Sequence, residues 1–202
     1  MKRLLSLILA AIMITATLAA GMTVSAELSF NDTDGHWATE AIEYVVGEGL
    51  MNGVGNGESF APDMSLTRGM VVTVLYRANG SPKLEFKGTF PDVEADKYYT
   101  DAVNWAYGAG VVNGVTSTTF EPETALTREQ LAAMLYRYMG DKLETATVCE
   151  FDDFDAVSDY AKEAVASMSV AGIVNGVGNN TFAPDEVVTR TMLAQVLYKA
   201  GL

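Results

Sequence analysis

Apolar side chains recur along this chain at helical rather than strand spacing, in the same order three times. Ala38, Ala41, Ile42, Val45 and Gly49 stand at i, i+3, i+4, i+7 and i+11, one face of a helix. Tyr99, Ala102, Val103, Ala106 and Gly110 repeat the stripe, as do Ala161, Ala164, Val165, Met168 and Gly172. Small residues on that face allow close helix approach. Each stripe stops at glycine, ahead of a loop rich in Asn and Gly that suits positive φ.

A second stripe follows in each copy: Val71, Val74, Leu75 and Ala78, then Leu131, Met134, Leu135 and Tyr138, then Leu193, Val196, Leu197 and Ala200. Pro62, Pro122 and Pro184 each stand five residues before Thr67, Thr127 and Thr189. The proline sets a turn and the threonine is placed to cap a helix. Thr127 with Gln130 fits a capping box, whereas Met70 and Met192 cannot complete one.

Self-similarity extends beyond the helices. The segments "GLMNGVGNGESFAPD", "GVVNGVTSTTFEPE" and "GIVNGVGNNTFAPD" align on Gly53, Gly114 and Gly176. Each copy opens on a phenylalanine and an acid, Asp32, Asp92 or Asp153, about 36 residues before Arg68, Arg128 or Arg190. One unit used three times, with boundaries expected at 27–88, 89–149 and 150–202, predicts an all-α chain. Each two-helix unit alone would expose a large apolar face. Three can cover one another, so we expect approximate threefold symmetry. "GVVNGV" and "TF" are strand-like but too brief for more than short pairings within loops.

Residues 1–26 carry Lys2 and Arg3, an apolar run and Val24-Ser25-Ala26, the pattern of a secretory signal peptide. Cleavage would leave Glu27 first, with 11 basic against 26 acidic side chains and a formal charge of −15. So acidic a surface argues against nucleic acid, which is held by cationic contacts to phosphate. After Ala26 no apolar run is long enough to span a membrane. Cys149 is the single cysteine, which excludes an internal disulfide and reads as a small, partly buried hydrophobe. His36, the single histidine, reads as a solvated residue near a helix start.

Charge raises a question at the second helices. With threonine as N-cap, Arg68, Arg128 and Arg190 occupy the first helical position, where free N–H groups disfavour a cation by a few tenths of a kcal/mol. One reading is functional: a guanidinium beside unpaired N–H groups can receive a carboxylate or phosphate. The other pairs each arginine with Asp32, Asp92 or Asp153. Both stay open on the residues alone. Arg77, Arg137 and Lys199, at the opposite helix ends, suit the dipole and call for no special account.

In this order, the F-x-D opening, the aromatic before the first helix, G-[LIV]-x-N-G, F-x-P-[DE] and L-T-R resemble the S-layer homology (SLH) family in three copies. The resemblance implies a three-pronged helical assembly with grooves between prongs. It also implies non-covalent attachment to secondary cell-wall polysaccharide, anionic and often pyruvylated, on a bacterial surface. A pyruvate carboxylate would meet Arg68, Arg128 or Arg190. Trp37, Tyr98 and Tyr160 would offer aromatic faces to sugar, and Asp32, Asp92, Asp153, Gly53, Gly114 and Gly176 would complete the sites. The family's T-R-A-E start is matched only in part: Met70, Gln130 and Met192 replace its glutamate, which is expected to affect helix stability more than charge recognition.

No cofactor, catalytic residue or metal ligand is expected. The acids around Asp32 and Asp152 lack the spacing of an EF-hand, and the NG loops lack a P-loop lysine. A secreted, non-enzymatic wall-binding module is the leading expectation, with other surface proteins as further partners. A structural protein forming or bridging a surface lattice is the alternative. Alanine in place of Arg68, Arg128 and Arg190 is expected to weaken binding without unfolding the body.

Overall fold

The computed structural model describes residues 30–84 and 88–202. The signal-peptide pattern at 1–26 lies outside them. Six α-helices make up the described chain: α1 (Thr39–Gly47), α2 (Arg68–Ala78), α3 (Thr100–Gly108), α4 (Arg128–Met139), α5 (Asp159–Val170) and α6 (Arg190–Ala200). Short 3-10 turns follow α4 and precede α5. No strand beyond isolated bridges occurs among the described residues. No helix there is long and apolar enough to cross a membrane.

α1 and α3 start one residue inside their apolar stripes, because Ala38 and Tyr99 serve as N-caps, whereas α5 starts two residues ahead of Ala161, with Ser158 as its N-cap. The second helices begin where the threonines place them. Thr67 Oγ1 accepts from Met70 N and Thr189 Oγ1 from Met192 N, both at 3.3 Å. At α4 the Gln130 half of the capping box is formed, Thr127 N donating to Gln130 Oε1 at 3.2 Å. Thr127 Oγ1 is buried without a partner.

The helices do not pair within their own repeats. Instead α2 packs on α3, α4 on α5, and α6 on α1. Each prong therefore joins the second helix of one repeat to the first helix of the next, and the third repeat closes onto the first. Ile42, Leu75, Leu135, Met168, Leu193 and Leu197 are essentially inaccessible in the shared core.

Backbone hydrogen bonds close the same ring at its centre. Leu66 N donates to Val188 O at 2.9 Å, Val188 N to Leu126 O at 2.9 Å, and Leu126 N to Leu66 O at 3.0 Å. Isolated bridges Ser65–Thr189, Thr67–Ala125 and Thr127–Val187 flank this triangle. The sequence pointed to pairing inside the loops, and Val54–Ser59 and Gly178–Thr181 do pair there. The pairings between repeats were not legible, since residues more than 50 positions apart make them.

Candidate functional site at the junctions between repeats

Each arginine reaches out of its own repeat into the next. Arg68 donates from Nε to Phe120 O at 2.8 Å and from Nη2 to Asn113 O at 3.3 Å. Arg128 makes the equivalent bonds to Phe182 O and Asn175 O, both at 2.7 Å. Arg190 makes them to Phe60 O at 2.6 Å and Asn52 O at 2.5 Å. The guanidinium carbons stand 4.3–4.8 Å from the ring centroids of Phe120, Phe182 and Phe60. A cation over an aromatic face contributes about 0.5–2 kcal/mol as it is desolvated. Three such locks, turned by one repeat each, close the ring.

Two sequence expectations are corrected here. The N–H groups that open the second helices are not unpaired. Arg68 N donates to Thr124 O and Gly69 N to Pro122 O; Arg128 N and Glu129 N bond Glu186 O and Pro184 O; Arg190 N and Thr191 N bond Met64 O and Pro62 O. Neighbouring loops satisfy these donors, so no anion is needed to do so. Nor does an aspartate ion-pair with an arginine among the described residues; the nearest acid contact is Arg128 Nε to Glu186 at 3.9 Å.

The aspartates act on the same turns from the other side. Asp32 accepts from Phe60 N and Ala61 N at 2.8 and 2.7 Å. Asp92 binds Phe120 N and Glu121 N, and Asp153 binds Phe182 N and Ala183 N. Ala61, Glu121 and Ala183 have φ of 56°, 59° and 56°, a left-handed conformation that non-glycine residues avoid by about 1–2 kcal/mol. Each carboxylate thus holds a strained turn whose phenylalanine carbonyl then receives the arginine. Aspartate and arginine meet through one peptide, not through each other.

This arrangement makes acid stability testable. Partial desolvation raises the pKa of Asp32, but the N–H groups of Phe60 and Ala61 outweigh it and hold the carboxyl below its ordinary value. A depressed folded-state pKa stabilises fully above the unfolded value of about 3.9 and loses that contribution as pH falls through the folded value. Asp32→Asn should lower the denaturation midpoint at pH 7 and shrink its further fall on acidification below pH 4. Urea titrations at the two pH values measure this; parallel losses in both proteins would exclude the linkage.

The NG glycines are kept small by packing. A Cβ on Gly53 would lie 2.7 Å from Gly57 O and 2.8 Å from Phe30 Cε1. On Gly114 it would stand 2.7 Å from Phe90 Cε1 and Thr119 O and overlap Thr116 O; on Gly176 it would be 2.7 Å from Thr181 O. The loop folds over the opening phenylalanine and sets the carbonyl of the preceding asparagine against the arginine. His36 Nδ1 accepts from Ala38 N at 3.2 Å at the start of α1. Cys149 is a free, half-buried thiol against the core, its pKa pushed up by burial.

One candidate from each repeat meets in a single cleft of about 340 Å³: Arg68, Gly114 and Tyr160 line it, with Asn113, Gln130 and Arg137. By the same cyclic order, Arg128, Gly176 and Trp37 correspond at the second junction, and Arg190, Gly53 and Tyr98 at the third. Trp37, Tyr98 and Tyr160 are each more than half exposed, unlike the core aromatics. Arg68 spends two of its five donors on carbonyls, leaving three for a ligand. Burial lowers the pKa of all three arginines, opposed by nearby acids, Glu121 for Arg68, Glu186 for Arg128 and Asp32 for Arg190. Because these side chains join the repeats, alanine there is expected to loosen the body as well as the cleft, contrary to the sequence expectation.

Sequence reasoning missed Arg137 and Glu129. Arg137 stands where helix-dipole logic alone sufficed to explain it. Glu129 follows Arg128 where the other repeats have Gly69 and Thr191, a divergence visible in the alignment of "TREQ" with "TRGM" and "TRTM".

Fold and cleft together define an all-α assembly of three repeats with a cleft built between units. The family model of the S-layer homology domain matches residues 29–69, 89–132 and 150–190, and the chain belongs to that family. It is 31% identical over 192 residues to a surface-layer 125 kDa protein of Lysinibacillus sphaericus, covering 90% of this chain and 16% of that one. It is 31% identical over 138 residues to a cellulosome-anchoring protein of Acetivibrio thermocellus, covering 64% of this chain and 30% of that one. An amylopullulanase of Thermoanaerobacterium thermosulfurigenes is 30% identical over 177 residues, 84% of this chain but 9% of the enzyme. The chain thus spans less than a third of each of these relatives. SLH domains anchor proteins to the cell wall, and membership places this chain at the bacterial cell surface.

Proposed function

We propose that this chain is a non-enzymatic module that binds secondary cell-wall polysaccharide non-covalently, through an acidic group such as a ketal-linked pyruvate. The observation that carries this is the cleft in which Arg68, Gly114 and Tyr160 converge from three repeats. Phe120 and two carbonyls fix the guanidinium, so its remaining donors are oriented before a ligand arrives. Preorganised donors bind an anion without the entropic cost of ordering a free side chain. Tyr160 supplies an aromatic wall suited to a sugar's C–H face. Asp32, Asp92, Asp153 and the NG glycines serve the site indirectly, by shaping the turns on which the arginines rest. The units 27–88, 89–149 and 150–202 each contribute to more than one junction.

Purified bacterial walls should retain the protein, and walls stripped of secondary polymer should not. Equal retention by both would reject the assignment. Depyruvylated polymer should bind less well than intact polymer, and the difference should narrow in high salt as the charge interaction is screened.

A second reading, formation or bridging of a surface lattice, is supported by relatives named as surface-layer proteins. Light scattering with and without calcium tests it, and a strict monomer in both conditions counts against it.

A further inference from the structure

The three junctions share a plan but differ in side chains, and the cleft at Arg68 has two features without counterparts. The first is Glu129, buried at the second position of α4 with 6% exposure. Its carboxylate accepts from Ser158 N at 2.9 Å, Ser158 Oγ at 2.9 Å and Tyr160 OH at 2.7 Å. An acid in the first turn also suits the helix dipole. Gly69 has no side chain to make such a latch, and Thr191 Oγ1 is turned to Pro62 O at 2.9 Å. Glu129 fixes both the start of α5 and the ring that walls the cleft, without lining the cleft itself.

The second feature is Arg137. It lines the same cleft as Arg68, is exposed, and its side chain makes no hydrogen bond or ion pair among the described residues, in a chain where acids outnumber bases two to one. Its counterpart Arg77 donates to Leu50 O at 3.1 Å, and the third counterpart, Lys199, lacks the planar fork that grips a carboxylate on two atoms. Both Arg68 and Arg137 act electrostatically on Tyr160, whose hydroxyl pKa is nonetheless raised, by burial first and then by its bond to Glu129. Tyr160 therefore keeps its proton and remains the donor that closes the latch.

We propose that the Arg68 cleft is the dominant ligand site of the three, with Arg137 as a second cationic anchor for an acidic saccharide and Glu129 as the positioning residue that holds Tyr160. This rests on the wall-polysaccharide reading and adds which junction binds and through which residues. The Tyr160 ring, latched at its hydroxyl, meets the sugar face with its orientation already fixed, while the two guanidinium groups approach the acidic substituent from different repeats.

Calorimetric titration of the full chain with short fragments of purified pyruvylated wall polysaccharide tests this. One strong site per chain is expected. Tyr160→Phe, which keeps the ring and removes the latch, should weaken binding about fivefold, and Arg137→Ala about tenfold, with the melting temperature of the Arg137→Ala protein within about 2 °C of wild type. Glu129→Gln should weaken binding as Tyr160→Phe does, and the double variant should be no worse than either, because both break one connection. Tyr198→Phe removes an exposed tyrosine–glutamate bond elsewhere, to Glu40, and should leave affinity unchanged. If Glu129→Gln fails to fold, Tyr160→Phe and Arg137→Ala carry the test. Wild-type affinity in both, or three equal sites per chain, overturns the proposal while wall binding that needs secondary polymer still stands. If wild type binds neither fragments nor unstripped walls, the functional reading itself falls.

Discussion

Arg190→Ala should lower the melting temperature by about 6–12 °C, corresponding to roughly 3 kcal/mol in a chain of this size. Arg190 is the side chain through which the third repeat holds the first, across 130 and 138 residues of sequence, by bonds to Phe60 O and Asn52 O. Alanine removes two charge-assisted hydrogen bonds, each contributing about 1.5–3 kcal/mol, and strands the carbonyls that accepted them. It also removes the cation from the Phe60 face, at 4.3 Å from the ring centroid. The backbone triangle of Leu66, Leu126 and Val188 remains, so the ring should loosen rather than open. Arg190→Lys should recover only part of the loss, since an ammonium cannot reach both carbonyls as a rigid fork does. Scanning calorimetry of the three proteins decides this; an alanine variant melting with wild type would show that the arginines do not close the fold.

Phe120→Ala is expected to cost more, about 3–5 kcal/mol, the range for removing a buried phenylalanine. Phe120 is inaccessible to solvent and packs against Phe90 with centroids 5.7 Å apart. It is also the face on which Arg68 rests at 4.6 Å. The substitution therefore removes core volume and the platform under the guanidinium together. Chemical denaturation should show the stability loss, and polysaccharide titration below the new midpoint should show weakened binding in the population that stays folded. Phe120→Leu separates the two effects: it refills most of the volume without restoring an aromatic face. Its stability should return further than its affinity. Equal recovery of both would mean the aromatic platform contributes nothing to the site.

Much of the helical content was legible because its signals are local. The stripe Val71, Val74, Leu75, Ala78 and the cap Thr67 predict α2 in place, and the same pattern predicts α4 and α6. The first helices were legible as elements but less sharply at their starts, where Ala38 and Tyr99 cap without a side-chain hydrogen bond. The left-handed turn at Ala61, Glu121 and Ala183 was hidden, since neither alanine nor glutamate advertises positive φ. Only Asp32, Asp92 and Asp153 explain how it persists, and their donors lie 28 to 30 residues away.

The candidate site divides in the same way. Arg68, Arg128 and Arg190 stood out because a cation at a helix start is locally unfavourable, and a repeated local cost points to a tertiary reason. That reason turned out to include neighbouring phenylalanine faces and asparagine carbonyls, which no spacing rule identifies. Arg137 was overlooked for the converse cause: it is locally favourable, so nothing drew attention to it.

Repetition, helix periodicity and capping chemistry determined by themselves that this chain carries three copies of a two-helix unit, because each depends on residues within a few turns of one another. Which second helix meets which first helix was decided only by the tertiary structure. The three copies are nearly interchangeable in pattern, so pairing within a repeat and pairing with the next satisfy the same apolar stripes. Closure into a ring selects between them, since only there do the N–H groups at each second helix find carbonyls and each guanidinium find a ring.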